Sequence, residues 1–498
     1  MPARFHELSK SYHGKTVFKN ISGEINDGDK VGLVGLNGIG KTTLARLIAN
    51  RESCDAGKIV YAPPHLRILY IEQHPQFDSY ASVYEAILNV PTKNLQQTRD
   101  TETIVKKSLN KIGLNEAIWS QRAVSLSGGE KTKLALCRIM VTNFDLLILD
   151  EPTNHLDTKS CEWLEEFIGQ LDKPMLIISH DRFFLDRAVN KIWELTARGL
   201  KMYEGNYSAY RTQKEIELKN MAREYNKQQL KIQHLKQVIN TREDWYQSAH
   251  QAAGQNDFYR SKANKHANVL KAKRKELERT ESAKLDKPVK PVSPAFEVIK
   301  KSIRGKKYPP YLVQGQNLGK SFGRNIIFQG ISFRIKRGDK IALIGANGVG
   351  KTTLLKTICG LDQDYQGTVT INPAVKTGYF AQELNNLPYG ATILDSVLTA
   401  GTTAAEARLL LANLLFRGDD VYKSIANLSM GERGRVAFAK LILSGADMLI
   451  LDEPTNYMDI ESKEKIESVL EDFKGIILFC LPRQIFYSKG GQPDFHHR

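Results

Sequence analysis

The chain has no apolar run long enough to span a bilayer. Its longest, LLIL before Asp150 and IILFCL from Ile476 to Leu481, are the size of buried strands, whereas a spanning helix needs about 20 residues. The first ten residues, MPARFHELSK, contain no hydrophobic leader core, so no export signal is expected. Five cysteines (Cys54, Cys137, Cys161, Cys359 and Cys480) stand singly with no CxxC pair. That disfavours a disulfide framework and a zinc site, and fits the reducing cytoplasm. Proline is missing from Ser208 to Ala283, a stretch rich in Lys, Glu, Gln, Arg, Leu and Ala, which reads as helix.

What remains is ordinary globular material: 498 residues, 41% apolar and 25% charged, enough for two or three domains with full cores. The net charge of +16 points to a polyanionic partner, although many basic proteins bind no nucleic acid.

One pattern is written twice. The first copy is GLNGIGKTT (Gly35–Thr43), LSGGE (Leu126–Glu130), LLILDEPTNHLD (Leu146–Asp157) and IISHD (Ile177–Asp181). The second is GANGVGKTT (Gly345–Thr353), LSMGE (Leu428–Glu432) and MLILDEPTNYMD (Met448–Asp459). Lys41 and Lys351 are 310 residues apart, and Ser127/Ser429 and Asp150/Asp452 are each 302 apart. GxxxxGK[ST] is a P-loop, whose glycines let backbone N–H groups curl around phosphates at a helix N-terminus. Gly35, Asn37, Gly38, Gly40 and Thr43, with Gly345, Asn347, Gly348, Gly350 and Thr353, form the two ATP cradles. Lys41 and Lys351 would reach the β- and γ-phosphates, and the Thr42 and Thr352 hydroxyls would ligate Mg²⁺. Asp150 and Asp452 end apolar strands, placed to hold Mg²⁺ through water. Glu151 and Glu453 follow, placed to polarise the attacking water. The structural alternative for such an acidic pair is a helix cap.

Residues 1–207 and 312–498 are read as the two nucleotide-binding units. Between them lies a helical hairpin over 208–286, with arms from about Tyr207 to Trp245 and Phe258 to Glu281 and turn chemistry in His250–Asp257. A connector over 287–311 includes the stiff KPVKPVSP. From Arg211 to Lys284 there are 17 Lys or Arg against 9 Asp or Glu. Such an excess suits salt-dependent phosphate binding, or equally an exposed coiled coil laced with ion pairs. Trp245, Tyr246, Phe258 and Tyr259 flank the turn, where they would stack on unpaired bases or pack between the arms.

The combination of P-loop, LSGGE, DEPTNHLD and SHD resembles the ABC ATPase family over both halves. The resemblance implies an α/β fold of two P-loop ABC domains closing head to tail. Lys41 would then share a nucleotide with Ser429 and Gly431, and Lys351 with Ser127 and Gly129. It further implies that Gln73 and Gln382 sense Mg²⁺ and the γ-phosphate, that Tyr12 and Phe322 stack on adenine, and that His180 contacts the γ-phosphate. PTNHLD, two fused units and a charged hairpin resemble the ABC-F family, soluble ATPases that bind the ribosome. That implies a cytoplasmic protein whose partner is 23S rRNA and the P-site tRNA region, with no second protein subunit required. Its hairpin would enter the tRNA exit site toward the peptidyl-transferase centre. The tip WYQSAHQAAGQNDFYRSKANK is similar to antibiotic-resistance members of the VmlR/Vga type. Only 53 residues separate Gln73 from Ser127, too few for the large arm of some housekeeping members.

The tail departs from this pattern. By the offset of 302, Pro482 stands where His180 has its counterpart, and Tyr457 and Met458 replace the usual His and Leu. Codons exist for Cys480–Phe486 that, read one base later, encode VSHDRY. The expectation is that residues from about Cys480 are translated out of frame, the alternative being a designed or natural different tail, that the second domain is truncated, and that it exposes apolar surface. Competing functions are a transporter's ATP-binding subunit and a DNA-repair ATPase. Fused units with a basic hairpin argue against the first, and the lack of zinc modules or far longer coiled coils against the second.

Overall fold

The computed structural model describes residues 2–88, 99–154, 156–252, 257–283, 310–345, 348–381, 387–398, 402–455 and 458–480. The chain divides into two compact units, Met1–Tyr207 with Val292–Arg498, and Ser208–Pro291.

In the larger unit the first half runs β1 (Ala3–Tyr12), β2 (Lys15–Ile25), β3 (Lys30–Val34), α1 (Lys41–Ile48), β4 (Ala56–Tyr61) and β5 (Ile68–Ile71). It continues through α2 (Glu85–Leu88), α3 (Arg99–Lys111), α4 (Gly128–Val141), β6 (Leu146–Asp150) and α5 (Thr158–Gln170), then β7 (Met175–Ile178), α6 (Arg182–Ala188), β8 (Lys191–Thr196) and β9 (Gly199–Glu204). Two helices follow, α7 (Tyr207–Ala252) and α8 (Asp257–Ser282). The second half runs β10 (Tyr311–Phe322), β11 (Asn325–Lys336), β12 (Lys340–Leu343), α9 (Lys351–Ile358), β13 (Gln366–Ile371) and β14 (Thr377–Phe380). It ends with α10 (Ile393–Val397), α11 (Ala404–Asn413), α12 (Met430–Leu443), β15 (Met448–Asp452), α13 (Ile460–Asp472) and β16 (Ile476–Cys480).

Each half pairs a three-stranded antiparallel sheet with a mainly parallel one. The first half's larger sheet has the order β5-β6-β7-β3-β8-β9, and the second half's β12-β16-β15-β14. LLILD and MLILD are buried at all five positions, as central parallel strands covered on both faces require. The strand ends therefore place Asp150 and Asp452 beside the P-loops that follow β3 and β12.

The halves differ at one edge. β3 lies between β7 and β8, whereas β12 pairs, among the described residues, only with β16. Val34 is 5% exposed, while Ile344, its counterpart by the offset of 310, is 49% exposed. Ile326 and Val349 are also open to solvent. Residues 481–498, where the sequence reading placed the altered tail and Pro482, lie outside the described residues, as do Tyr457 and the connector KPVKPVSP.

In the smaller unit α7 continues seven residues past Trp245, where the sequence reading ended the first arm. Tyr-Gln-Ser-Ala-His-Gln-Ala contains no residue that stops a helix, and the first breaker is Gly254, beyond it. Ile232, Leu235 and Ile239 form a buried stripe at helical spacing. The arms are tied antiparallel by Arg274–Glu243 at 2.7 Å, Lys231–Glu276 at 3.2 Å and Lys236–Glu281 at 2.8 Å. Gln228 Nε2 also donates to the Ala283 carbonyl at 2.7 Å. Among the described residues no helix is long and apolar enough to cross a membrane.

Candidate nucleotide sites

After β3 the chain turns through Gly35–Gly40 into α1. Gly38 and Gly40 have φ of 76° and 106°, and Gly348 and Gly350 have 78° and 96°. A Cβ on Gly40 would lie 2.4 Å from Val17 Cγ1, and one on Gly350 2.3 Å from Ile327 Cγ2. Handedness and space both demand glycine there, and the helix N-terminus beyond is suited to anions. Lys41 Nζ donates to the carbonyls of Gly35 (2.8 Å) and Leu36 (3.1 Å), and Lys351 Nζ to Gly345 O (2.9 Å). Burial holds the Lys41 ammonium below its usual pKa, against the pull of Glu151, Asp459 and Asp150. Thr42 and Thr43 lie in the first turn of α1, Thr352 and Thr353 in that of α9.

Thr352 Oγ1 donates to Asp452 Oδ1 at 3.0 Å, and the Tyr379 hydroxyl to Oδ2 at 3.3 Å. Tyr70 likewise donates to Asp150 Oδ2 at 3.2 Å, while Asp150 Oδ1 is buried with no hydrogen-bond partner. Burial raises the pKa of both aspartates. The hydroxyl-carboxylate pair of the second half, and the orphaned carboxylate oxygen of the first, each suit a hard divalent cation.

Glu151 and Glu453 adopt φ of 51° and 49°, left-handed backbone at a non-glycine residue in both halves. Glu151 is 5% exposed, and burial pushes its carboxyl up to about 7, with Lys41 and Lys463 working against the shift. The His180 amide donates to Glu151 Oε2 at 3.2 Å, and His180 Nε2 sits 3.4 Å from Oε1. Burial, then Lys41 and Lys463, lowers the His180 pKa well below its ordinary value, so the imidazole is neutral. The Glu453 amide donates to Cys480 O at 3.2 Å.

The signature serines start helices. Ser127 caps α4 in a reciprocal box with Glu130, and Ser429 caps α12 with Glu432. A cavity of about 640 Å³ brings Ser127 and Gly129 together with Gly348, Gly350, Lys351, Thr352, Thr353 and Glu453. A second, of about 390 Å³, joins Leu36 and Asn37 to Ser429, Gly431 and Asp459. Each cavity is thus walled by one half's P-loop and the other half's signature.

Tyr12 ends β1, 41% exposed, with Lys10 Nζ 5.3 Å from its ring. Phe322 ends β10, 56% exposed, with Lys320 at 5.0 Å. Gln73 is half-buried just after β5. Asn347 and Gln382 lie outside the described residues.

The sequence reading passed over a set of contacts between the halves. Asn37 N donates to Asp459 Oδ2 at 3.2 Å, and Lys463 Nζ to His180 O at 3.0 Å. Arg182 pairs with Glu467 at 2.9 Å, and the Tyr207 hydroxyl donates to Glu464 at 3.4 Å. The one available signal was the repeated Asp157/Asp459 at the end of the duplicated motif.

A family model described as "ABC transporter" matches residues 18–154 and 328–456, and a second of the same description matches 193–297. The chain is 33% identical to the ribosome protection protein VmlR of Bacillus subtilis (strain 168), over 97% of this chain and 84% of that one. It is 31% identical to ABC transporter F family member 5 of Arabidopsis thaliana, over 95% and 72%. Among solved structures, the complex of archaeal ribosomal stalk protein aP1 and ribosome recycling factor aABCE1 superposes with a TM-score of 0.62. The likeness covers 96% of this chain and 84% of that one at 18% identity, which is likeness of fold alone. Two ABC domains with an intervening extension, and whole-length identity above 30% to F-family members, make this chain an ATPase of the ABC-F family.

Proposed function

We propose that this ATPase is a cytoplasmic, ribosome-bound translation factor that protects ribosomes from antibiotics. Its hairpin would enter near the tRNA exit site and contact 23S rRNA and the P-site tRNA region. The observation that carries this reading is the 33% identity to a ribosome protection protein across 97% of the chain, hairpin included. The hairpin's composition supports it: of 9 acidic residues, Glu243, Glu276 and Glu281 are engaged by basic residues of the opposite arm. The remaining basic excess is available to phosphate. Trp245 is 41% exposed on α7, as base stacking needs; the side chains of Tyr246, Phe258 and Tyr259 lie outside the described residues.

In this reading Lys41 and Lys351 bind the β- and γ-phosphates. Tyr12 and Phe322 stack on adenine, and the trans signatures Ser429/Gly431 and Ser127/Gly129 close over the nucleotide. Thr42, Asp150 and Gln73, with Thr352, Asp452 and Gln382, would hold Mg²⁺, which when bound neutralises charge on the phosphates. Glu151 and Glu453 orient the attacking water, and His180, held neutral against Glu151, meets the γ-phosphate. Domain closure on ATP would favour the ribosome-bound state, and hydrolysis would release it.

The test is co-sedimentation with ribosomes of Glu151→Gln/Glu453→Gln in ATP. The double variant should pellet with ribosomes and leave them when ATP is replaced by ADP. A protein that stays in the supernatant in both nucleotides overturns the reading.

A further inference from the structure

The residue 180 backbone is held at both ends by different halves of the protein. Its N–H donates to Glu151 within the first half, and its carbonyl accepts from Lys463 of α13 in the second. Two residues on, Arg182 is tied to Glu467 of the same helix at 2.9 Å and lies 3.9 Å from Glu464. Burial lowers the Lys463 pKa, while Asp181, Glu151, Glu467 and Asp459 favour its charged form. Lys463 is half-buried at the edge of the larger cavity, and its ammonium is spent on a loop carbonyl of the opposite half.

The arrangement is one-sided. By the 302 offset, the residue of α5 equivalent to Lys463 is Cys161, a buried side chain too short and too weak a donor to make the same reach. The duplication that repeats both P-loops therefore does not repeat this lysine.

We propose that Lys463 is a positioning residue for hydrolysis at the site built on Lys41 and Glu151. Reaching across from the second half, it fixes the His180 loop against Glu151 only while the halves are closed. ATP cleavage at that site is thereby conditional on the placement of α13. The inference rests on the assignment of Glu151 and His180 above, but not on the ribosome.

The test uses the full chain without ribosomes, in a Glu453→Gln background that silences the second site. Lys463→Met, isosteric but unable to donate, should lower kcat by roughly tenfold or more while KM for ATP stays within about twofold, the mark of a lost positioning contact. Lys463→Arg, which keeps charge and donors, should restore at least about a third of the rate. A kcat within about twofold of the parent, a KM rising in step with lost affinity for a fluorescent ATP analogue, or no rescue by arginine would each overturn the proposal. If Glu151→Gln leaves turnover intact, the assignment of Glu151 fails instead. If turnover behaves as expected but ribosomes are not bound, only the translation role fails.

Discussion

The backbone amide of Asn37, inside the first P-loop, donates to the Asp459 carboxylate 422 residues away at 3.2 Å. Asp459 also caps α13, its other oxygen accepting from Ser462 N at 2.8 Å. One side chain therefore starts a helix of the second half and touches the phosphate loop of the first. Asp459→Ala should cost about 1 kcal/mol of stability through the lost cap, and weaken ATP binding as well. Asp459→Asn keeps the cap and should stay near the parent stability. Denaturant midpoints of the two variants, with nucleotide titrations, check this.

With Glu151 raised to about 7, its proposed role in orienting water predicts hydrolysis at the first site that climbs as pH rises through neutrality and levels off above it, because that role needs the carboxylate. The stability effect has the opposite sense. A carboxyl whose native pKa exceeds its usual 4.5 contributes stability below that value and loses it as pH rises through about 7. Glu151→Gln should therefore match the parent near pH 4.5 and exceed it at pH 8 by on the order of 3 kcal/mol. His180 runs the other way, its depressed pKa giving stability above 6.5 that is lost in acid, so the comparison is cleanest in a His180→Gln background. Nucleotide-free unfolding at the two pH values decides it.

Gly40→Ala places a methyl 2.4 Å from Val17 Cγ1 at a φ of 106°. The variant should lose about 1–3 kcal/mol and bind ATP poorly at the first site. A silent substitution, seen by melting and nucleotide titration, would mean that the turn can re-form around a side chain.

Changing Lys271, Lys273, Arg274 and Lys275 of α8 together to glutamine should weaken ribosome binding and flatten its dependence on salt, since each lost phosphate contact removes released counterions. Among the described residues, Arg274–Glu243 is the one tie between the arms that this change breaks. Stability should fall by less than about 1 kcal/mol, as exposed pairs contribute little. Pelleting assays across a salt series separate the two effects.

Much of the fold was legible because local rules and global structure agree. Strand-glycine-lysine strings announce a P-loop, LLILD announces a central parallel strand, and a proline-free charged stretch announces a helix. The first arm runs past its expected end near Trp245 because polar residues need not turn: His250, Gln251 and Ala252 all accept helix, and Gly254 is the first to resist it. Lys463 was invisible for another reason. Its partner lies 283 residues away, and no periodicity within either half encodes how the halves face one another.

Glu151 and Glu453 each turn the chain through a left-handed corner at φ near +50°. Valine or isoleucine would fit that corner badly, whereas asparagine or aspartate would relax into it but fall a methylene short of the glutamate's reach. Geometry thus narrows the alphabet at both positions before chemistry has any say. Drift through conservative replacements is closed off twice over, and a replacement at either position must redraw the backbone there or give up the role proposed for the glutamate.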